Sequence, residues 1–218
     1  MRACPLCSIQ AYTELLEMGV YGELTADGKV SLRDVNGSVT RLIDLVSNLI
    51  DIEQLESGNV PLNLSLVPAR SLFEATIQAV SALAAGKNMH LEVDDGDVTF
   101  AADQGKMVQV LVNLASNAVK FSSQNTTIWL KAVKEGANAV LTVTDNGRVI
   151  PPDQLARVFD RFKQVNQSDS AERKGSGLGL SIFKSIVEQH NGKIGVTSKV
   201  GSGSTFWIQL PMTQQEHS

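Results

Sequence analysis

Apolar residues recur at spacings of three and four along 109–121, QVLVNLASNAVKF, where Val110, Leu111, Leu114, Ala118 and Phe121 fall on one side. That period predicts an amphipathic helix with one buried face. Upstream, Leu6, Ile9, Leu16 and Val20 predict a helix over 6–24 with those positions inward, and TADGK at 25–29 reads as a turn. A second helix is expected over 31–56. Within it Val39, Leu42, Val46 and Leu49 form the seam of a coiled coil or bundle. Ile43, Ile50 and Ile52 widen that stripe beyond what one neighbour covers. Either a second copy completes a four-helix bundle, or the hairpin packs on the rest of its own chain.

The segment SGNVP at 57–61 ends the second helix, and the pattern then changes. Leu62, Leu64 and Leu66 alternate with polar neighbours, as in a strand. Helices are expected over 69–85, 152–162 and 178–190, and short strands over 90–93, 98–101, 126–133, 139–144, 194–198 and 205–210. Asp103 is placed to cap the central helix. The stretch 165–176 is polar and reads as a flexible loop. The fold class is therefore α+β: a helical hairpin over 1–58, an α/β sandwich over 61–212 with a mixed sheet and helices on one face, and a tail over 213–218.

Composition narrows the function classes. The 218 residues are 43% hydrophobic and 19% charged, ordinary for a soluble folded chain. A net charge of -4 supplies no basic field for nucleic acid or an anionic membrane. No apolar run is long enough to cross a bilayer, so no direct membrane contact is expected. MRACPLCSIQ lacks the features of a secretory signal, which points to the cytoplasm, either alone or as the cytosolic part of an anchored sensor. Cys4 and Cys7 have no further zinc ligands at suitable spacing; they read as small residues near an end or as a redox pair.

Three stretches carry candidate chemistry. Asn113 and Asn117 lie four apart on the central helix and Lys120 three beyond, so they share an edge. Such an edge can hold a hydrated Mg²⁺ and the phosphates it bridges, or the amides can simply cap and solvate a core helix. Asp145-Asn146-Gly147 follows a strand; its carboxylate can accept from an exocyclic amine while the backbone approaches a flat ring, or it is an ordinary turn. Gly175, Gly177 and Gly179 lead into a helix, where free amide groups bind phosphate. Neither a Rossmann nor a Walker order fits them. Phe159 and Phe162 can anchor the base of the polar loop or serve as core.

The order NLASNAVKF, VTDNG, VFDRFKQ, GSGLGLSI, GSGSTF resembles the ATP-binding domain of sensor histidine kinases, and RLIDLVSNLIDIEQLESG resembles the second helix of their dimerisation domain. The resemblance spans nearly the whole chain. It implies ATP and Mg²⁺ as cofactors, with Asn117 as the metal ligand and Asn113 beside it. Lys120 would touch phosphate and Phe121 would line the base pocket. Asp145 would bind the adenine amine, with Gly147 under the ring. The loop 165–174 would be a lid hinged by Phe159 and Phe162. Gly175, Gly177, Leu178 and Gly179 would wrap the phosphates, and Thr205 would close the adenine end. The implied reaction transfers the γ-phosphoryl to a histidine and then to an aspartate of a response-regulator receiver domain, from a homodimer.

Two departures bear on activity. Pro5-Leu6 matches the end of the family's acceptor motif, so the acceptor histidine falls before Met1 and no catalytic phosphoacceptor stands in place. His90, His190 and His217 do not substitute for it. The chain is then a fragment of a longer kinase or a kinase-like protein without its own acceptor. Second, Val149 replaces the second glycine of the family's DNGxG box. If that backbone needs positive φ, valine costs about 1–3 kcal/mol and weakens ATP binding. A pseudokinase-like dimeric signalling module and a thiol switch through Cys4 and Cys7 are the alternatives to an active kinase core.

Overall fold

Gly19 stops the first helix. α1 (Pro5–Glu17) ends in a Schellman motif: Gly19, at φ 75°, donates to the Leu16 carbonyl, and Val20 donates to the Leu15 carbonyl. The expected helix through 24 therefore ends seven residues early. The computed structural model describes residues 5–56, 62–155, 157–160, 179–199 and 202–212. They fall in two compact units, Met1–Ser57 and Gly58–Ser218.

In the first unit TADGK is a helix start, not a turn. Thr25 Oγ1 accepts the Gly28 N–H at 3.1 Å, capping α2 (Ala26–Glu56), and Asp27 lies in the first turn where the helix dipole favours an anion. Buried Thr13 donates to Asn36 Oδ1 between the two helices. Ile9 and Val20, expected inward, are exposed; Leu16 is half-buried, and Leu6 lies outside the described side chains. Of the α2 seam, Val39 is 6% exposed, but Leu42 and Val46 are 48% and 46% exposed, and Leu49 lies outside the described side chains. The stripe is wider than α1 covers.

The second unit is built on a mixed five-stranded sheet. Its order is β2 (His90–Asp94), β4 (Thr127–Glu135), β5 (Asn138–Asp145), β7 (Gly203–Pro211), β6 (Lys193–Lys199). β2 runs parallel to β4 and the other pairs are antiparallel. β1 (Ser65–Pro68) and β3 (Thr99–Ala102) form a separate antiparallel pair. α3 (Ala69–Ala85), α4 (Gln104–Phe121) and α6 (Gly179–Gln189) cover one face of the sheet. The alternation along β5 is strict: Ala139, Leu141, Val143 and Asp145 are buried, and their neighbours are half-buried. α4 buries Met107, Val110, Leu111, Leu114, Ala115, Ala118 and Val119, each large apolar side chain contributing about 1.5–3 kcal/mol.

Three expectations change here. The strand expected at Leu62, Leu64 and Leu66 is β1, whose buried residue is Val67, while Leu64 and Leu66 are exposed. Phe121 keeps the angular direction of Val110 and Leu114, but as the last residue of α4 it is 41% exposed rather than buried. The helix expected over 152–162 is reduced to α5 (Pro152–Leu155), followed by turns in which Arg157 donates to Gln154 and Asp160 to Arg157. No helix among the described residues is long and apolar enough to cross a membrane.

Candidate functional site

The site is built along α4, whose start is fixed twice. The Asp103 carboxylate accepts the Lys106 N–H at 3.0 Å, the cap expected from sequence, and the Asp103 N–H donates to His190 Nε2 at 3.0 Å. His190, fully buried, faces the Ile186 carbonyl with Nδ1 at 2.8 Å, so the proton belongs on Nδ1 and the ring is neutral. Burial lowers its pKa, an effect the Ile186 carbonyl and Asp103 only partly offset. The ring thereby ties the end of α6 to the beginning of α4. The far end of α4 is also held: the Lys87 ammonium donates to the carbonyls of Val119, Lys120 and Ser122 at 2.7, 2.9 and 3.2 Å. These are the carbonyls a helix leaves unmatched, and a cation there also suits the dipole.

Between these anchors Asn117 Nδ2 donates to Asn113 Oδ1 at 3.2 Å, a bond that does not use the Asn117 oxygen. A Cβ placed on Gly179 would lie 3.5 Å from Asn113 Oδ1, so the first residue of α6 abuts that edge. At the other end Lys120 Nζ sits 5.3 Å from the centre of the Phe121 ring. A Cβ on Gly147 would lie 2.9 Å from the Phe121 carbonyl oxygen. The asparagine edge, the start of α6 and the Asp145–Gly147 turn thus meet along one helix. Asn113 and Phe121 are separated by about 12 Å of helix rise, a span a nucleoside phosphate can bridge.

Asp145 is 5% exposed. Burial raises its pKa, against the opposing N–H groups of Gly147 and Ser204; the first of these donates to Oδ1 at 2.7 Å. A buried carboxylate aimed at a turn with no Cβ suits an amine donor on a planar ring. Among the described residues no group of three His, Cys, Asp or Glu could hold a metal. The donor set on α4 is amide oxygen, which fits a Mg²⁺ arriving with phosphates and keeping its waters.

One sequence expectation is corrected, and the condition set on Val149 is resolved. Thr205 lies on the sheet face turned away from α4, where its hydroxyl meets Thr144 Oγ1 at 3.0 Å. Its neighbour Ser204, buried and paired with Asp145 in the register, is the residue at that end of the cluster. Val149 has no positive φ, so the strain considered for a β-branched residue there is absent. The segment it belongs to is instead stapled to the β6–β7 hairpin. Ile150 N–H donates to Ser198 Oγ at 3.0 Å, and Ser198 Oγ lies 3.0 Å from Ser204 Oγ. Phe159 is half-buried behind buried Val158. Phe162, Gly175, Gly177, Leu178 and the loop 165–174 lie outside the described residues, as do Cys4 and His217.

Lys87, Ser122, Ser198, Ser204 and His190 were not singled out as site residues from sequence. Only the parity of β7 relative to Asp145 could have exposed Ser204, and that parity needs the register. A separate cleft of about 460 Å³, lined by Arg70, Glu74, Ile77, Val93, Asp94 and Asp95, shares no residue with this cluster.

Over residues 102–214 the sequence matches the family described as histidine kinase-, DNA gyrase B-, and HSP90-like ATPase. It is 32% identical, over 95% of this chain and 28% of the relative, to the circadian input-output histidine kinase CikA of Synechococcus elongatus. It is 30% identical, over 97% of this chain and 45% of the relative, to the sensor histidine kinase YclK of Bacillus subtilis. The chain thus spans less than half the length of these curated relatives. The structure of full-length ShkA in complex with AMPPNP superposes with a TM-score of 0.77 at 28% identity, over 97% of this chain and 44% of that one. The histidine kinase AdeS of Acinetobacter baumannii shares the fold, with a TM-score of 0.68 at 21% identity over 95% of each chain.

Proposed function

This chain belongs to the histidine kinase-, DNA gyrase B- and HSP90-like ATPase family, as the ATP-binding catalytic domain of a sensor histidine kinase, and from that premise we propose that it binds MgATP along α4 and presents the γ-phosphoryl group to a histidine. The single observation that carries this reading is the meeting of Asn113, Gly179, Phe121, Asp145 and Gly147 along one helix.

In this reading Asp145 accepts from the adenine amine, and Gly147 lets the ring lie against the turn. Phe121, partly exposed beside them, covers the base, with Phe159 at the foot of the neighbouring segment. Asn117, with Asn113 orienting its amide, holds the cation through its oxygen. Lys120 leaves the Phe121 ring to meet phosphate. The amide groups at the start of α6, with Gly175, Gly177, Leu178 and Gly179, carry the β- and γ-phosphates. A bound Mg²⁺ supplies charge neutralisation on the phosphate oxygens. The chain's own part is positioning and fixed dipoles, which is most of what phosphoryl transfer asks of a protein. The bond to the β-phosphate oxygen breaks, a nitrogen–phosphorus bond forms on the acceptor imidazole, and ADP leaves. α1 contains no histidine, so the acceptor comes from outside it. The phosphoryl group then passes to an aspartate of a response-regulator receiver domain.

The hairpin, 1–58, dimerises into a four-helix bundle, and 61–212 is the catalytic domain. Exposed Leu42 and Val46 continue the seam that Val39 begins, and a second copy is the occupant that would cover them. Of the two departures behind a module without turnover, strain at Val149 is absent, and the missing acceptor histidine remains.

The test is equilibrium titration of the chain with MgATP, alongside Asp145→Asn and Asn117→Ala. Saturable binding is expected, with Asp145→Asn weakening all adenine nucleotides and Asn117→Ala weakening only the Mg²⁺-dependent part. Absence of binding at millimolar MgATP would overturn the reading. Sedimentation of the chain tests the dimer; a monomer at about 100 μM, a concentration corresponding to only about 5.5 kcal/mol of association, removes it.

A further inference from the structure

β2 is the last strand on its side of the five-stranded sheet, and four of its five residues are exposed. Its inner side is bonded to β4, where the His90 N–H donates to the Thr126 carbonyl at 3.0 Å. In a parallel ladder alternate residues bond to the neighbouring strand. Leu91 and Val93 therefore turn their N–H and C=O groups to the free edge, where no strand pairs with them among the described residues. Edges of this kind are commonly guarded by lysine or proline. β2, reading HLEVD, contains neither.

The two faces of that edge differ. Leu91 and Val93 stand opposite buried Ile128 and Leu130, so their side chains take the helix-covered face. There Val93, 42% exposed, and Ile77 of α3 line the cleft of about 460 Å³, which the Arg70–Asp95 ion pair also borders. On the open face Glu92 accepts from Trp129 Nε1 at 2.9 Å, and Asp94 meets Lys131 at 2.9 Å. The acids along this edge, Glu74, Glu92, Asp94 and Asp95, outnumber the cations Arg70 and Lys131 beside them.

We propose that the free edge of β2 is a docking site for an extended peptide of alternating apolar and basic residues, added as a further strand in the groove beside α3. The outward backbone groups of Leu91 and Val93 supply the ladder. Apolar side chains of the peptide fill the cleft against Ile77 and Val93, and basic ones on the opposite face meet Glu92 and Asp94. A second copy is the poorer occupant. Two β2 edges side by side would set Glu92 and Asp94 of one chain against the same acids of the other, and like charges across strands destabilise. The groove shares no residue with the nucleotide cluster, so loss of MgATP binding would leave this edge untouched.

The test titrates an acetylated, amidated heptapeptide of alternating valine and lysine into the full chain, followed by amide NMR and hydrogen exchange. Shifts are expected in β2 and the facing side of α3, with exchange at Leu91 and Val93 slowed by about tenfold or more at saturation. Replacing the lysines by glutamate is expected to weaken binding by about tenfold or more. N-methylation of the peptide backbone on one alternate set of residues has the same effect, and on the other set it is tolerated, because only one set faces β2. No shift in β2 with millimolar peptide overturns the proposal. So does equal binding of the glutamate peptide, or an equal effect of the two methylated sets. Concentration-dependent shifts at Leu91 and Val93 without peptide assign the edge to a second copy and overturn it as well.

Discussion

Replacing Gly147 by alanine tests how tightly the turn after β5 is packed on α4. The added Cβ falls 2.7 Å from Asp145 Oδ1, 2.9 Å from the Phe121 carbonyl oxygen and 3.0 Å from Ser122 Oγ. Ser122 Oγ can rotate away. The other two cannot move cheaply. Phe121 O belongs to a backbone held in place by Lys87 on its neighbouring carbonyls, and Asp145 Oδ1 is pinned by the Gly147 N–H at 2.7 Å. Relief therefore requires the turn to lift from α4, an overpacking of about 1–3 kcal/mol. If the cost falls on the nucleotide-bound state, MgATP affinity drops by about five- to 150-fold. If it falls on the fold, the melting temperature drops by about 2–12 °C for a domain of this size. Thermal unfolding with and without MgATP, together with calorimetric titration, separates the two. A variant with a midpoint within about 1 °C of the native chain and an affinity within about twofold would refute the packing argument.

The other predictions follow from single contacts. Val149→Gly leaves MgATP affinity within about threefold and lowers stability by about 0.4–1 kcal/mol through chain entropy; a gain of tenfold or more in the titration would mean that strain was present after all. Thr205→Val leaves affinity within about twofold, whereas Ser204→Val, beside Asp145, weakens it by more, and a reversed order in the same assay would contradict the strand parity. Lys87→Met strips an ammonium from three carbonyls and costs about 1.5–3 kcal/mol in denaturant unfolding, with Lys87→Arg retaining part of it. His190 is neutral in the fold and its pKa is lowered by burial, so the unfolded chain binds the proton more readily. Stability is complete above the unfolded value near 6.5 and declines as pH falls from there toward the lower folded value. His190→Gln should flatten that slope in unfolding curves at successive pH values, and an unchanged slope would assign it to another group.

Much of this protein is written in local pattern. The period of α4, the alternation of β5 and the Asp103 cap depend on residues close in sequence, so they were legible as a helix, a strand and a cap. Short-range signals also sufficed to recognise the family. Where local signals competed, the reading failed: TADGK carries both turn and cap chemistry, and only the hydrogen bond from Gly28 to Thr25 decides between them. Gly19 likewise ends α1 because a Schellman motif closes there, although the apolar pattern continues.

What tertiary structure alone decided lies between residues far apart. Which of Ser204 and Thr205 faces Asp145 is a matter of parity, and parity is set by the register of β7 against β5, which neither strand encodes by itself. The sign of φ at Val149 depends on how its segment is stapled to Ser198, 49 positions along the chain. Lys87 reaches the end of α4 across 32 to 35 positions, and His190 meets Asp103 across 87. These contacts exist because the sheet brings α3, α4 and α6 onto one face. A helix or strand period reports which side of an element is apolar, but not which polar group on another element will stand opposite.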